Sequence, residues 1–452
     1  MSVRRLALAS FAWIACLSTT FAAEAAKPNI VFILADDLGY ADLGCYGGNV
    51  IQTPRLDAMA SEGLRFTHAY AGTSVCAPTR CVLMTGLHTG HAPIRANREL
   101  QPEGQMPLPE GYVTLPQIMK DAGYATACIG KWGLGVFGST GDPLKRGFDH
   151  FYGYNCQRHA HEYYTDYLYD DDRRIALDGK TYSQDLLMAD ALAWVREKRD
   201  ETFFLYLPFT IPHGKYQVPD ASAYDDATFE GRPLTEQEKT YAAMVSRLDG
   251  DVGRLLDLLK ELQLDEKTIV FFTSDHGAAK DFFHSSGPLR DIKRSMYEGG
   301  LRVPMIVRWP DVVPAGKVSD EVWTFWDVLP TFAELAGTSL PEHAQLDGLS
   351  VVPALLGGEA PRHDYLYWEL HEGKFSQAAI QGQWKAVRPG PNAALELYDL
   401  AADPGETNDV AATHPDEIAA MERLLREARS DSPLWPKDLG AKKKAANAKP
   451  AS

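Results

Sequence analysis

The chain has 452 residues, enough for one large α/β domain and a smaller second one. Hydrophobic residues make up 45% and charged residues 23%, a globular balance that excludes a disordered or fibrous chain. The formal net charge of −16 repels polyanions at long range, which argues against nucleic acid and requires a local Lys/Arg cluster for any anionic substrate.

Arg4 and Arg5 precede an apolar run over 6–17, followed by small residues at 22–25. This pattern predicts a secretory signal peptide over 1–23 and a periplasmic or secreted location. The run is too short to span a membrane, and no later segment is a transmembrane candidate. Ile14-Ala15-Cys16 gives lipoprotein anchoring through Cys16 as the lesser reading, because Trp13 stands where a small aliphatic residue is expected.

Apolar runs at 29–34, 125–129, 203–207 and 268–272 read as strands. They alternate with helical patterns at 54–62, 114–121, 183–198, 236–262, 326–336 and 415–429. The alternation predicts an α/β fold with a large, mainly parallel sheet sandwiched by helices. A further strand at 303–307 is placed at an edge or in an early position because of Pro304. Beyond residue 355 the runs shorten to 365–368, 376–380, 384–387 and 395–398, predicting a smaller antiparallel sheet with the helix at 415–429 packed on it. The expected division is a catalytic domain over 24–355, a C-terminal subdomain over 356–435 and a disordered basic tail over 436–452. Cys45, Cys76, Cys81, Cys128 and Cys156 remain after cleavage, with no metal or framework spacing and no selected disulfide.

Polar groups follow the main strands: Asp36-Asp37 after the first, Gly130-Lys131 after the second, Pro212-His213 beyond the third, and Asp275-His276 after the fourth. Ligands of open α/β sheets bind outside the carboxyl ends of the strands, so these residues are expected to converge on one crevice. Three aspartates there repel one another, and a cation is the simplest compensation. Asp36, Asp37 and Asp275 are hard oxygen ligands that suit Ca²⁺, while His276 leaves Mg²⁺ or Mn²⁺ open.

The segment Cys76-Ala77-Pro78-Thr79-Arg80, with Thr85-Gly86 shortly after it, resembles the C-x-P-x-R signature of type I sulfatases. These arylsulfatase-like enzymes belong to the alkaline phosphatase superfamily. Leu397-Tyr398-Asp399-Leu400, Asp403-Pro404-Gly405-Glu406 and Asn408 resemble their C-terminal subdomain. The resemblance implies oxidation of Cys76 to formylglycine by a maturation enzyme, a hydrated aldehyde as nucleophile, and a sulfated saccharide as substrate. It favours calcium held by Asp36, Asp37, Asp275, His276 and residue 76. It also implies that Arg80 orients residue 76, that Lys131 and Lys293 grip the sulfate, and that His213 protonates the leaving oxygen.

One position departs from the family: Gly130-Lys131-Trp132-Gly133-Leu134-Gly135 has Gly133 where relatives carry a histidine that contacts the formylglycine hydroxyls. The segment 157–161 is the densest candidate to replace it, with Arg158, His159 and His161 expected to bind substrate. Tyr152, Tyr154, Tyr163 and Tyr164 flank it and suit sugar rings. Two other functions fit the same scaffold: a formylglycine-dependent phosphonate monoester or phosphodiester hydrolase, and a catalytically silent glycan-binding homologue.

Overall fold

The computed structural model describes residues 27–100 and 104–436. The signal peptide expected over 1–23, Cys16 and nearly all of the tail expected over 436–452 lie outside the described residues. Strands of the main sheet are β1 (Asn29–Ala35), β2 (Leu64–Tyr70), β3 (Ala125–Lys131), β4 (His150–Tyr154), β5 (Tyr167–Asp170), β6 (Arg173–Ala176) and β7 (Phe203–Pro208). After the small hairpin β8 (Thr228–Phe229) and β9 (Arg232–Pro233) come β10 (Thr268–Ser274), β11 (Arg302–Arg308) and β12 (Lys317–Thr324). The order across the sheet is β12-β2-β11-β10-β1-β7-β3-β4-β5-β6. The centre, β10-β1-β7-β3-β4, is parallel throughout.

Helices are α1 (Pro54–Ser61), α2 (Cys76–Thr85), α3 (Leu115–Asp121), α4 (Ser183–Glu197), α5 (Glu236–Glu261), α6 (Glu298–Leu301), α7 (Val328–Leu335), α8 (Val352–Leu355) and α9 (Pro415–Glu427). Every residue of β1 is buried because both sheet faces are covered. Ile30, Phe32 and Leu34 join the core under α2, α3 and α7. Val31 and Ile33 point the other way, into the core under α1, α4 and α5. The long α5 starts at a capping box. Thr235 Oγ1 accepts the Glu238 N–H at 3.3 Å, and the Glu238 carboxylate accepts the Thr235 N–H at 2.7 Å.

Pro304 does not place its strand at an edge. β11 lies between β10 and β2, and its pairing with β2 shifts register between Val303 and Met305. The irregularity falls at the residue with no N–H to donate, so an interior strand tolerates it.

The C-terminal sheet is β13 (Leu366–Leu370), β14 (Ser376–Gln381), β15 (Trp384–Arg388) and β16 (Glu396–Asp399), antiparallel in chain order. Tyr367, Ala379 and Leu397 pack under Met421 and Leu425 of α9. Trp368, Ala378 and Val387 face the other way and join the main core. Two buried ion clusters fasten this sheet. Glu369 of β13 accepts from Arg95 at 2.8 Å and from Arg429 at 2.5 Å. Lys385 of β15 meets Glu298 at 2.8 Å and Glu406 at 2.9 Å.

Burial alone would raise the Glu369 carboxyl, but His371, Arg429 and Arg95 outweigh it and hold it far below the usual carboxylate range. Its stabilisation is therefore present above the unfolded-chain value of about 4.3 and shrinks as pH falls below it. Glu369→Gln leaves two buried guanidinium groups uncompensated. It should lower unfolding free energy at pH 7 by about 3 kcal/mol. In urea titrations the gap from wild type should narrow on acidification below about pH 4.

Candidate active site

The β1–β10 register pairs Ala35 with Ser274, so Asp36 and Asp275 leave adjacent strand ends side by side. The Asp275 N–H donates to the Ala35 carbonyl at 2.9 Å and the Asp37 N–H to Asp275 Oδ1 at 3.2 Å. Asp37 turns the chain in the left-handed region, φ 69°, a conformation that aspartate tolerates better than most residues. All three carboxylates are buried.

Each is matched by a cation from a different element. Lys131, at the end of β3, donates to Asp36 at 2.5 Å. Lys293, in the loop before α6, donates to Asp37 at 2.5 Å. Arg80, one turn into α2, lies 3.4 Å from Asp275 and 3.6 Å from Asp36, and also donates to the Lys131 carbonyl at 2.6 Å. Burial alone would raise Asp36, but Lys131, His213, Arg80 and Lys293 hold it well below the usual range. Against the same burial, His213, Lys293 and His276 bring Asp37 down to about 2. Burial and the neighbouring Asp36 charge raise Asp275.

Cys76 is the first residue of α2 and 3% exposed. Its Sγ lies 3.6 Å from Asp36 Oδ1, 3.4 Å from His276 Nε2 and 3.9 Å from Lys293 Nζ. Burial and Asp36 push the thiol up, so it stays protonated. Here Sγ marks the place where the oxygens of an oxidised residue 76 would stand. None of the five described cysteines is in a disulfide.

Two histidines complete the floor. His276 Nδ1 donates to the Gly277 carbonyl at 3.0 Å, which turns the Nε2 lone pair toward Cys76, Asp37 and Asp275. His213 Nδ1 likewise donates to the Gly214 carbonyl at 2.9 Å. Its Nε2 faces Lys293 Nζ at 3.2 Å and Asp37 at 3.3 Å. The His213 loop is held by Tyr163, whose hydroxyl lies 2.7 Å from the carbonyls of Thr210 and His213.

The donor set fits a divalent cation. Asp36, Cys76, Asp275 and His276 offer ligand atoms within 4.8 Å of one another, as do Asp36, Asp37, Cys76 and His213. Asp37 Oδ2 is buried and has no hydrogen-bond donor among the described residues. Three side-chain cations balance three carboxylates, so a bound divalent ion makes the floor net positive for an anionic ester.

Above this floor opens a cleft of about 590 Å³, lined by Cys76, Gln157, His161, His213 and Lys293. Its rim combines Arg294 with Glu372 of the C-terminal unit, paired at 2.9 Å. Asn97 lies beside them. Its Oδ1 accepts the Ala77 N–H at 2.9 Å, and its own N–H donates to Glu372 at 3.4 Å.

The sequence-predicted residues divide. Asp36, Asp37, Cys76, Arg80, Lys131, His213, Asp275, His276 and Lys293 share the floor. In the segment 158–161, His161 reaches the cleft and stacks on His213 at 3.7 Å. His159 bonds Thr165 at 2.8 Å and stacks on Tyr167 at 3.9 Å, away from the cleft. Arg158 is half exposed and pairs with Glu99 at 3.3 Å. The segment forms a 3₁₀ turn over His159–His161. Tyr154 and Tyr163 are buried supports, not a sugar platform, whereas Tyr216 lines the cleft. Sequence reasoning missed Asn97, Tyr216, Arg294 and Glu372, because only the folded chain brings these loops together, and it placed Gln157 in the candidate segment 157–161 without giving it a role of its own.

Residues 28–338 match the Sulfatase family, and residues 291–431 match the N-sulphoglucosamine sulphohydrolase C-terminal family. The chain belongs to the Sulfatase family. Dog N-acetylgalactosamine-6-sulfatase is 34% identical over 422 residues, covering 86% of this chain and 77% of the relative. An arylsulfatase of Hemicentrotus pulcherrimus is 32% identical, covering 89% and 81%. The crystal structure of Ps i-CgsB with k-i-k-neocarrahexaose superposes with a TM-score of 0.82 at 29% identity, covering 93% of this chain and 98% of that one. Phosphonate monoester hydrolase of Agrobacterium radiobacter shares the fold at 21% identity and a TM-score of 0.62. The protein is thus a sulfuric ester hydrolase of a family that generally uses formylglycine and a divalent cation. Among the described residues, no helix is long and apolar enough to cross a membrane.

The placement of the two loop histidines separates them functionally. In the sulfatase, His161→Ala should lower kcat/KM about tenfold, the loss expected for one polar contact near the transition state. His159→Phe, which keeps a ring against Tyr167, should leave kcat/KM within about twofold. Steady-state kinetics on one sulfate ester compares the two.

Proposed function

We propose that the enzyme removes sulfate from a carbohydrate, using a formylglycine formed from Cys76 and a calcium ion held by Asp36, Asp37, Asp275, His276 and residue 76. The observation that carries this reading is the position of Cys76. It is an unpaired, protonated thiol at the start of a helix, on the floor of a polar cleft, among three carboxylates and three cations. A buried neutral thiol is a weak nucleophile, whereas a hydrated aldehyde at that position offers two hydroxyls. The carbohydrate assignment is supported by the sugar sulfatase among the relatives, the oligosaccharide in the Ps i-CgsB complex and the polar lining of the cleft.

Lys131 and Lys293 bind sulfuryl oxygens, and Arg80 holds residue 76 and offsets the aspartates. The calcium ion, when bound, supplies a Lewis acid for the sulfuryl group and for a hydroxyl of residue 76. One hydroxyl of residue 76 gives up its proton to water, and its oxygen attacks sulfur in line. The S–O bond to the alcohol breaks, and the departing oxygen takes a proton from Nε2 of His213 in its doubly protonated form, which keeps the Nδ1 proton on the Gly214 carbonyl. The second hydroxyl then loses its proton to water, the aldehyde C=O reforms, and sulfate leaves with the electrons of its C–O bond. Water rehydrates the aldehyde. Most of the acceleration comes from fixed charges around the transferring anion. Residues 1–23 direct export to the periplasm or medium.

Mass spectrometry of the peptide spanning residue 76, from protein made with a maturation enzyme, should show an aldehyde in place of the thiol. Cys76→Ala should melt like wild type and lose at least about a thousandfold in kcat, a size typical of a lost nucleophile. Retained activity would refute the assignment. Parallel assays on phosphate and phosphonate esters should be slower than on sulfate esters.

Elemental analysis should find about one calcium per chain, and chelator should abolish turnover. His213→Ala should slow a sugar sulfate at least about tenfold more than a nitrophenyl sulfate, whose leaving group departs without a proton. Equal slowing would remove His213 from the role of acid.

A further inference from the structure

Gln157 is 4% exposed, yet neither its Nε2 nor its Oε1 has a hydrogen-bond partner among the described residues. An unsatisfied buried polar group costs on the order of 1–3 kcal/mol. The side chain lines the same cleft as Cys76, His213 and Lys293.

Gly133 makes room for this carboxamide. At φ +77° residue 133 favours glycine, and a Cβ there would sit 2.0 Å from Gln157 Nε2 and 3.6 Å from Arg80 Cδ. The amide therefore lies over a bare Cα, beside the stem of the arginine one helical turn beyond Cys76. Backbone bonds fix the arrangement. The Trp132 N–H donates to the Tyr154 carbonyl at 2.9 Å, and the Gly133 N–H to the Asn155 carbonyl at 3.1 Å. The stretch leading into Gln157 is thus tied to the stretch leaving Lys131.

We propose that Gln157 is a substrate-contacting residue of sulfate ester hydrolysis. Its N–H donates to a sulfuryl oxygen, and its carbonyl accepts from a hydroxyl of residue 76. This rests on the reading that residue 76 reacts as a hydrated aldehyde. Sulfuryl oxygens only accept hydrogen bonds and gem-diol hydroxyls can donate them. A carboxamide offers one group of each kind without adding charge. It binds both reacting partners at once and orients one against the other, while taking no proton itself.

The test uses calcium-loaded enzyme whose conversion at residue 76 is checked by mass spectrometry. Gln157→Ala should lower kcat/KM roughly tenfold to a hundredfold. Its melting temperature should match or exceed that of wild type, because the unpaired amide is gone; a purely structural glutamine would give the opposite pattern. Gln157→Glu keeps the shape and puts a carboxylate against the sulfate. Its rate relative to wild type should be lowest at neutral pH and should recover on acidification as the new carboxyl protonates. Wild-type kcat/KM in Gln157→Ala, or a Gln157→Glu ratio that does not change with pH, overturns the proposal while leaving the nucleophile assignment intact. A converted wild-type enzyme that cleaves no sulfate ester overturns both.

Discussion

Three carboxylates buried at the ends of two adjacent strands are the constraint on which the site depends. Asp36, Asp37 and Asp275 are brought together by the in-register parallel pairing of β1 with β10, and no local adjustment separates them. Their mutual repulsion must be offset in a low-dielectric interior, where unpaired charge is expensive. Lys131, Arg80 and Lys293 do this from β3, α2 and the loop before α6. The constellation proposed to be catalytic is also the electrostatic closure of the sheet's carboxyl edge, so the residues proposed to bind an anionic group are those that balance its buried charge.

The C-terminal unit extends the same logic. Lys385 reaches from β15 to Glu298 at the start of α6, five residues after Lys293. Tyr70 also donates to Glu298 at 3.0 Å, from the end of β2. The loop that carries Lys293 is thereby held between the two sheets. The rim pair of Arg294 with Glu372 continues this seam to the mouth of the cleft. One wall of the cleft thus depends on how the smaller sheet is docked.

Much of this was legible in the sequence. The central strands read clearly because burial on both faces makes them continuous apolar runs, and the polar residues that follow them marked the floor. Strands β5 and β6 are short and partly exposed, and most of β12 faces solvent, so they left no periodic trace. Helix α2 is buried on every side and shows no amphipathic stripe, so it was not predicted although it carries Cys76 and Arg80. The segment 157–161 was singled out for its histidines, which are conspicuous. Gln157 drew no such attention, because a glutamine acquires meaning only when its surroundings leave it unpaired.

The burial of Cys76 sets an order of events. A thiol 3% exposed on the floor of the cleft is out of reach of a protein-sized catalyst once α2 has docked. For the formylglycine proposed at residue 76, maturation and folding would therefore run in a race, and the winner would determine for good whether a given molecule is competent. Slowing the docking of α2 would raise the modified fraction even at some expense in final stability. The yield of competent molecules would then be under kinetic control, set by the time the nascent segment stays open rather than by the depth of the native well.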